Sequence, residues 1–344
     1  MLINMEYMSN LKTNYMGIDI KNPLVVGASN LVVNMDHLKR LEDAGAGAIV
    51  YKSLFEEQIQ LETFYEEEAM MQFNDRHAEM INIYPDMKDA GPVDFLLKLR
   101  RAKESVGIPM IASLNCVTRD VWLDYAKKIE ETGVDGLELN FYSAPREFGV
   151  SGHSILEEQL QITNEIKENL KIPVSVKLSP YYTNTLRFIN MMEGAGADSV
   201  VLFNKLFQPN IDIEKEIMTY DYNNSGKGDY RLALRYMGLL YGKTNTHLIA
   251  STGIKDGKDI IKMLLAGAQA VQVVSTLYQN GLDYLSPMIR YVETWMDRKG
   301  YSSLDDFRGK LSKENLKDPY AYKRAQYVDI LMKSVELYKP NKMV

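Results

Sequence analysis

Short apolar runs alternate with amphipathic segments along most of the chain, and one kind of junction between them recurs. At each junction a helical pattern ends in a turn of small residues, and an apolar run follows, in 41–53, 129–140, 192–204 and 264–275. Glycine in such a turn ends a helix, and a run that is apolar throughout is typical of a strand buried in a parallel sheet. The pattern therefore predicts repeated helix-to-strand steps with right-handed crossovers.

Eight strands are predicted when the remaining apolar runs are added. The expected strands are Leu24–Ala28, Ala48–Lys52, Met110–Ser113, Gly136–Asn140, Val174–Leu178, Ser199–Phe203, His247–Ser251 and Ala270–Val274. Eight parallel strands that alternate with helices close into a barrel, so we predict an α/β fold, a (β/α)8 TIM barrel. The chain is expected to be a single domain, with a core at about 11–311 and a C-terminal helical extension at 312–344.

The segments around this core carry further expectations. Residues 11–22 are expected to form a small hairpin at the barrel floor, and a helix near Tyr320–Tyr338 is expected to pack across the outside. Long insertions follow strand 2, at 55–92, and strand 6, at 208–230. The first insertion is acidic and rich in methionine, and loops of this length commonly act as lids or partner surfaces. A solvated helical excursion is the alternative.

Composition narrows the class of protein. The chain has 344 residues, 46% hydrophobic and 25% charged, with a net charge of −6, which argues against a nucleic-acid binder. It shows neither a signal peptide nor an apolar stretch long enough to span a membrane, so a cytoplasmic protein is expected. Cys116 is the only cysteine, which fits a reducing compartment. Four scattered histidines lack metal-ligand spacing, and no metal is expected.

Candidate chemistry lies at the carboxyl ends of the predicted strands, where reactive groups of such barrels are found. These ends carry lysines, amides and hydroxyls: Ser29, Asn30, Lys52, Ser53, Ser113, Asn115, Asn140, Lys177, Asn204, Thr252 and Ser275. Neither a Ser-His-Asp spacing nor a glycosidase pair of acids is present, which argues against a hydrolase. A buried lysine is costly unless it is paired or used, so Lys52 and Lys177 are informative, although either one alternatively extends into solvent.

Residues 248–276 read as a strand–helix–strand unit suited to an anion. The helix is predicted to begin after Asp256 and to end at Gly267. Thr252-Gly253 and Ser275-Thr276 follow the two strands, and small residues there allow backbone N–H groups to approach a phosphate. Ordinary strand-to-helix turns are the alternative. Lysines and amides above an anion site would suit an electron-rich planar ring. A ring beside a phosphate site indicates a flavin phosphate.

Several segments together resemble the dihydroorotate dehydrogenase family of FMN-binding barrels, especially its soluble class 1 members. They are KNPLVVGASN (21–30), YKSL (51–54), LELNFYS (137–143), VSVKLSPYYTN (174–184), VLFNKL (201–206), LIASTGIKDGKDIIKMLLAGAQAVQVVST (248–276) and GYSSLDDFRGKL (300–311). The resemblance implies an FMN-dependent oxidoreductase that converts dihydroorotate, or a closely related cyclic amide, to orotate in pyrimidine biosynthesis.

The resemblance also implies roles for individual residues. The implied FMN contacts are Ala28, Ser29, Lys52, Ser53, Ser113, Asn140, Lys177, Thr252, Gly253, Ser275 and Thr276. Among them Lys177 matches a lysine near flavin N1, where positive charge stabilises the reduced anion. The implied substrate contacts are Lys52, Asn140 and Asn204.

Ser143 falls at the position of the general base, where soluble members have cysteine and membrane-associated members have serine. The implied reaction removes a proton next to a carbonyl and passes a hydride from the neighbouring carbon to flavin N5. A serine hydroxyl is a poor base at neutral pH, so a relay of its proton through water or a neighbouring residue is expected, with Tyr142 and Thr118 as the candidate neighbours. The alternative is that Ser143 is only a loop residue.

Some positions depart from the family pattern and bear on the substrate. Ala144-Pro145 replaces an asparagine after the base, and Lys205 stands where a small hydroxyl residue is usual. Ala250 and Val274 stand where glycine is usual, and the lid motif of the family is not recognisable in 55–92. The segment 225–235 also lacks a glycine-rich phosphate motif, which Gly226 and Gly228 only approximate.

Two other functions remain open at this stage. One is a Schiff-base aldolase with Lys177 as the nucleophile. The other is a flavin-bound non-catalytic or electron-transfer subunit that docks through 55–92. The expected partners are a small pyrimidine-like substrate and either a second copy of the chain or a redox protein, without nucleic acid or membrane. Fumarate, NAD through a partner, and another protein all remain open as electron acceptor.

Overall fold

Eight parallel strands close into a barrel in the computed structural model, which describes residues 9–60, 92–116, 118–142, 148–220 and 224–333. The strands of the described chain are β1 (Thr13–Tyr15), β2 (Ile18–Ile20), β3 (Leu24–Val26), β4 (Ala48–Phe55), β5 (Met110–Asn115), β6 (Gly136–Asn140), β7 (Val174–Leu178), β8 (Ser199–Leu202), β9 (Asn210–Asp212), β10 (Ile217–Thr219), β11 (His247–Ala250) and β12 (Ala270–Val273).

The barrel order is β3-β4-β5-β6-β7-β8-β11-β12, and the ring closes where Val271 pairs with Leu24. The predicted (β/α)8 TIM barrel is confirmed, and each of the eight predicted strands is present. β4 and β5 run on to Phe55 and Asn115, past their predicted ends, and four other strands end one or two residues earlier than predicted. These differences leave the predicted strand-end residues at the same rim of the barrel.

Helices connect the strands and cover the outside of the barrel. Their bounds are α1 (Met35–Asp43), α2 (Pro92–Ser105), α3 (Arg119–Glu130), α4 (Gly152–Asn169), α5 (Thr185–Gly194), α6 (Tyr230–Leu240), α7 (Gly257–Ala266), α8 (Ser275–Asn280), α9 (Leu285–Lys299) and α10 (Arg324–Met332). Single 3-10 turns lie at Asn30–Val32, Leu282–Tyr284, Leu304–Asp306 and Tyr320–Tyr322. None of the helices in the described part of the chain is both long enough and apolar enough to cross a membrane.

The helix within 248–276 begins and ends as predicted. The Asp256 carboxylate accepts hydrogen bonds from the backbone N–H groups of Lys258 and Asp259, at 2.8 and 3.1 Å, and so caps α7. Gly267 ends the helix with φ +121°, and a Cβ there would lie 2.5 Å from the Tyr241 ring. Glycine is therefore required at this end both by the backbone angle and by the close packing.

The predicted floor hairpin is confirmed. β1 and β2 pair antiparallel, and Tyr15, Met16 and Ile20 are buried among the inward-facing residues of the barrel strands. Full burial of one such side chain contributes roughly 1.5–3 kcal/mol, which ties this short hairpin firmly to the barrel. The Tyr15 hydroxyl reaches Glu138, in the middle of the barrel, at 3.3 Å.

The second insertion contains a two-stranded hairpin, β9–β10, whose Ile211 and Met218 face each other and are exposed. Of the first insertion, residues 61–91 lie outside the described residues, so the predicted lid or partner surface is not among the features seen.

The C-terminal segments pack unequally. Leu304 and Phe307 are fully buried, whereas α10 has no buried residue. Tyr322, just before α10, lies against α6 and donates a hydrogen bond to the Leu311 carbonyl. The expected packing therefore holds up to Tyr322 and is wrong for α10, because the apolar residues of this helix are spread around it instead of forming one face.

Candidate active site

A cleft of about 240 Å³ opens at the carboxyl ends of the barrel strands. Nine of the residues with implied FMN or substrate contacts line it: Ala28, Ser29, Lys52, Ser53, Lys177, Asn204, Thr252, Gly253 and Ser275. The sequence pattern did not single out further wall residues, among them Phe207, Ser225, Gln272 and Tyr278. The cleft thus brings residues from both halves of the barrel to one place.

Lys52 lies at an irregularity in β4. The pairing of β4 with β5 shifts register between Val50 and Ser53, which is the signature of a β-bulge. Tyr51 points outward from the barrel, where it is buried edge-on against Phe95 with ring centroids 5.8 Å apart. Because successive side chains of a strand alternate, Lys52 faces the cleft, where it is half-buried.

Lys177 lies at the floor of the cleft, over a polar network inside the barrel. Its Nζ donates to Oε1 of Gln272 at 3.0 Å and lies 3.7 Å from Oε1 of Glu138. Gln272 Nε2 in turn donates to Oε2 of Glu138 at 2.5 Å, and the Tyr15 hydroxyl donates to the same oxygen. The Glu138 side chain is 0% exposed and that of Lys177 is 10% exposed, so the two charges are paired out of water.

Sequence reasoning missed Glu138 and Gln272 because it considered only the ends of the strands. A signal was present, since Glu138 stands two residues before Asn140 and therefore on the same inward face of β6. Burial and the nearby Glu138 charge also raise the pKa of Tyr15 well above its ordinary value, so its hydroxyl stays a donor to the carboxylate.

Asn140 and Asn204 are joined by a hydrogen bond from Nδ2 of Asn204 to Oδ1 of Asn140, at 2.5 Å. Asn204 is a wall residue of the cleft and Asn140 is half-buried behind it. With the amides in this orientation, the remaining N–H groups of Asn140 and the Oδ1 of Asn204 stay available to a ligand.

Two further predicted FMN contacts, in addition to Asn140, lie behind the cleft wall. Ser113 is fully buried, and its hydroxyl shares a 2.7 Å hydrogen bond with that of Ser53, which does line the cleft. Thr276 is also fully buried, and its hydroxyl donates to the Lys255 carbonyl at 2.8 Å. Both residues support the wall from behind.

The far end of the cleft is built from the predicted phosphate loops. Gly253 has φ +78°, and a Cβ there would lie only 2.3 Å from the Tyr230 backbone nitrogen. Thr252 also has a positive φ, of 71°, which is rare for a β-branched residue and indicates a loop held in a strained conformation. The Ser225 N–H donates to the Ser275 hydroxyl at 3.0 Å, so segment 225–235 begins beside the two loops.

The structure accounts for two departures from the family pattern. Val274 has φ −140°, which needs no glycine, and its side chain fills the space beside Gly27. Lys205 forms an ion pair with Asp229 at 3.2 Å at the edge of the cleft. Although burial acts to raise the pKa of Asp229, the N–H of Gly226 and the ammonium group of Lys205 hold that pKa below its ordinary value.

The predicted proton-relay residues have other partners. The Thr118 hydroxyl and N–H donate to the carboxylate of Glu56, at 2.6 and 2.7 Å, and the Tyr142 hydroxyl accepts from the Phe207 N–H at 3.1 Å. Ser143 itself, with Ala144 and Pro145, lies outside the described residues.

Cys116 does not replace the missing family cysteine. It is buried, and this burial together with the charges of Glu56 and Glu57 raises the pKa of its thiol. Such a thiol stays protonated and does not act as a base. Within the described ranges, no cluster of histidine, cysteine and acidic side chains is arranged to hold a metal ion.

Comparison with known proteins gives consistent matches over most of the chain. Residues 10–296 match the family model described as Dihydroorotate dehydrogenase. The "Dihydroorotate dehydrogenase B (NAD(+)), catalytic subunit" of Thermoplasma volcanium is 30% identical over 307 residues, which cover 88% of this chain and 98% of that protein. The protein of the same name from Thermoplasma acidophilum is 29% identical, over 88% of this chain and 99% of its own length. That from Methanothermobacter thermautotrophicus is 26% identical, over 87% and 97%.

Proposed function

The chain belongs to the dihydroorotate dehydrogenase family and is an oxidoreductase acting on a CH–CH donor, and from this premise we propose that it binds FMN in the cleft and oxidises dihydroorotate to orotate, or oxidises a closely related cyclic amide. The observation that carries the proposal is the convergence of Lys52, Lys177 and Asn204 in one cleft, with Asn140 hydrogen-bonded to Asn204 behind its wall. The opposite end of that cleft is made by glycine and hydroxyl residues.

The residues of the cleft fit FMN. Ser29 Oγ is buried and has no hydrogen-bond partner within the described structure, so it is an unsatisfied polar atom on the cleft wall. The backbone around Gly253 is so close to Tyr230 that any side chain there would block the loop. Loops of this kind, at the last two strands of a barrel, suit a phosphate. Thr252, Gly253, Ser275 and Ser225 would hold the phosphate, and Lys177 would face the ring.

FMN, when bound, supplies a hydride acceptor for the carbon next to the one that loses a proton. The chain supplies the charges and hydrogen bonds around that exchange. Lys177 holds a positive charge at the floor of the cleft, where it stabilises negative charge that accumulates there. Lys52 and the free groups of Asn140 and Asn204 bind and orient the carboxylate and amide groups of the substrate.

Ser143 is the proposed base. The carbon that loses its proton must lie within hydrogen-bond reach of the base, and Ser143 follows Asn140, the last residue of β6, by three positions in the sequence. Since Thr118 is already bound to Glu56, a relay through Thr118 would run on to that buried carboxylate.

A partner subunit is part of the proposal. The relatives named above are each called a catalytic subunit and an NAD(+) enzyme. We therefore favour a redox partner that passes electrons to NAD(+) over fumarate as the direct acceptor. The β9–β10 hairpin follows β8 in the chain, as 56–60 follow β4, and it exposes Ile211 and Met218.

The Schiff-base aldolase is disfavoured by one observation. A nucleophilic lysine must direct its Nζ lone pair at a carbonyl carbon, whereas Nζ of Lys177 donates to Gln272 at 3.0 Å and lies 3.7 Å from the Glu138 carboxylate.

Anaerobic mixing of the purified protein with dihydroorotate tests the proposal. We expect yellow protein whose flavin absorbance bleaches on mixing, and a Ser143→Ala variant that keeps its FMN but bleaches far more slowly. Colourless protein that takes up no added FMN would refute the cofactor. Yellow protein that does not bleach with any dihydropyrimidine would favour the non-catalytic, electron-transfer alternative.

A further inference from the structure

An ion pair lies inside the barrel directly below the cleft. Glu138 of β6 is completely buried, and its Oε1 has no hydrogen-bond partner within the described structure. The nearest positive charge is Lys177, at 3.7 Å from that oxygen. A buried carboxylate is costly unless it is paired, so its presence inside the barrel needs a reason beyond packing.

Gln272 links the two charges. An ionised carboxylate only accepts hydrogen bonds, so Glu138 receives the N–H2 end of the Gln272 amide, at 2.5 Å. The carbonyl end of the amide then points to Lys177 Nζ, at 3.0 Å. The charge on Glu138 therefore fixes which way the amide is turned, and the amide holds the ammonium group 3.7 Å from the carboxylate oxygen instead of in closer contact.

The position of Lys177 matters because, of the two charged groups Glu138 and Lys177, only Lys177 reaches the cleft. Lys177 and Gln272 both line the cleft, whereas Glu138 does not. A ligand in the cleft thus meets a positive charge whose strength depends on a negative charge behind it. In a low-dielectric interior such a second charge has a large effect on any further charge brought nearby.

We propose that Glu138 is a positioning residue that acts through Gln272 and Lys177 to set the balance between the oxidised and reduced forms of the bound cofactor. This inference rests on the proposed binding of FMN. Glu138 repels the negative charge that reduction brings into the cleft, and Lys177 attracts it. Together the two charges keep the midpoint potential of the bound FMN low enough for the reduced cofactor to pass its electrons on.

The midpoint potential of the bound FMN tests this role. It is measured at one fixed pH in the wild-type protein and in Glu138→Gln. The variant is expected to bind reduced FMN, relative to oxidised FMN, about tenfold more tightly, which is a rise of about 30 mV in the two-electron potential. The shift is expected to be positive because a negative charge has been removed while Lys177 remains.

Two further variants separate charge from packing. Tyr15→Phe removes a donor to Glu138 but keeps both charges. The ratio of its affinities for reduced and oxidised FMN is therefore expected to stay within threefold of the wild-type ratio. Gln272→Met removes the amide and lets Lys177 move toward Glu138, so its potential is expected to fall. A purely structural role would lower stability in all three variants without producing shifts of opposite sign.

A measurement without flavin separates this inference from the proposed function. The rate at which acetic anhydride acylates Lys177 is followed by peptide mass spectrometry, in protein freed of flavin. Glu138→Gln is expected to react several-fold faster than wild type, because the ammonium has lost its ion pair, and Gln272→Met is expected to react more slowly.

Each outcome decides between the two ideas. Equal potentials in wild type and Glu138→Gln, or shifts of the same sign in Glu138→Gln and Gln272→Met, would overturn the inference. If the wild type binds no FMN, the proposed function fails, and equal acylation rates would then overturn the inference as well. If Glu138→Gln does not fold, the direction of the potential shift in Gln272→Met decides: a fall supports the inference, and any other result overturns it.

Discussion

Asn204, after β8, donates a hydrogen bond to Asn140 of β6. The bond passes over β7, which lies between these two strands and carries Lys177. Each amide uses one of its groups in this bond, and each keeps the complementary group free. The pair therefore presents an N–H donor and a carbonyl acceptor side by side. A cyclic amide carries the same two groups, which makes the pair a suitable site for its recognition.

Asn204→Ala is expected to weaken substrate binding. The substitution removes one acceptor from the cleft and leaves Asn140 without its partner, at a cost of about 1–3 kcal/mol, or roughly 5- to 150-fold. We expect a rise of this size in the KM for dihydroorotate with FMN retained, measured by steady-state kinetics and by flavin absorbance. Asn210→Ala, on the exposed hairpin, is the control. An unchanged KM would show that the substrate lies elsewhere.

Gly253→Ala is expected to abolish FMN retention. A methyl group would lie 2.3 Å from the Tyr230 nitrogen, so the loop after β11 would have to move away from the proposed phosphate position. Its backbone φ of +78° adds strain. The measurement is the ratio of flavin to protein after gel filtration, together with the dissociation constant for added FMN.

Gly133→Ala provides a matched control for that variant. Gly133 has a similar φ of +83°, but nothing lies within 4 Å of the added methyl group, and the residue is in the turn after α3, away from the cleft. This variant is expected to lose about 1 kcal/mol of stability and to keep its FMN. Equal loss of FMN in both variants would mean that backbone strain alone explains the effect. The loop at Gly253 would then not be a contact of FMN.

Strand alternation explains how much of the site was predictable. Lys52 and Lys177 were expected to meet because both stand at the carboxyl end of a strand, and a closed parallel barrel brings all such ends to one rim. The register shift between Val50 and Ser53 does not disturb this, since Lys52 still lines the cleft.

Other parts of the site depend on contacts that a local pattern does not contain. Tyr15 reaches Glu138 from 123 positions away in the chain, so the network below the cleft depends on how the hairpin enters the barrel. Thr276 was expected to face a phosphate, but its hydroxyl is turned to the Lys255 carbonyl by the backbone of α8. Short periodic patterns predict which face a residue lies on, and they do not predict which partner its polar atoms find.

Thr118→Val is expected to destabilise the protein by about 1–3 kcal/mol, because it leaves the buried Glu56 carboxylate without its hydroxyl donor. Valine keeps the shape of threonine, so packing is little changed. The free energy of unfolding in urea measures the effect, and Thr294→Val on the exposed face of α9 is the control. If Thr118 also relays a proton from Ser143, the variant will in addition slow flavin bleaching. Equal stability of the two variants would show that the Glu56–Thr118 contact contributes nothing.

His247 is expected to make the stability of the protein fall on mild acidification. Burial, with the Arg308 charge close by, lowers the pKa of His247, and its Nδ1 is buried without a hydrogen-bond partner within the described structure. A histidine with a lowered pKa in the folded state contributes its full stability above the unfolded value of about 6.5 and loses it as the pH falls through the folded value. The free energy of unfolding in urea should therefore decrease as the pH is lowered below about 6.5. His247→Leu should reduce that slope, and His153→Gln, at an exposed site, is the control. A slope that is the same in all three proteins would assign the acid sensitivity to carboxylates and not to His247.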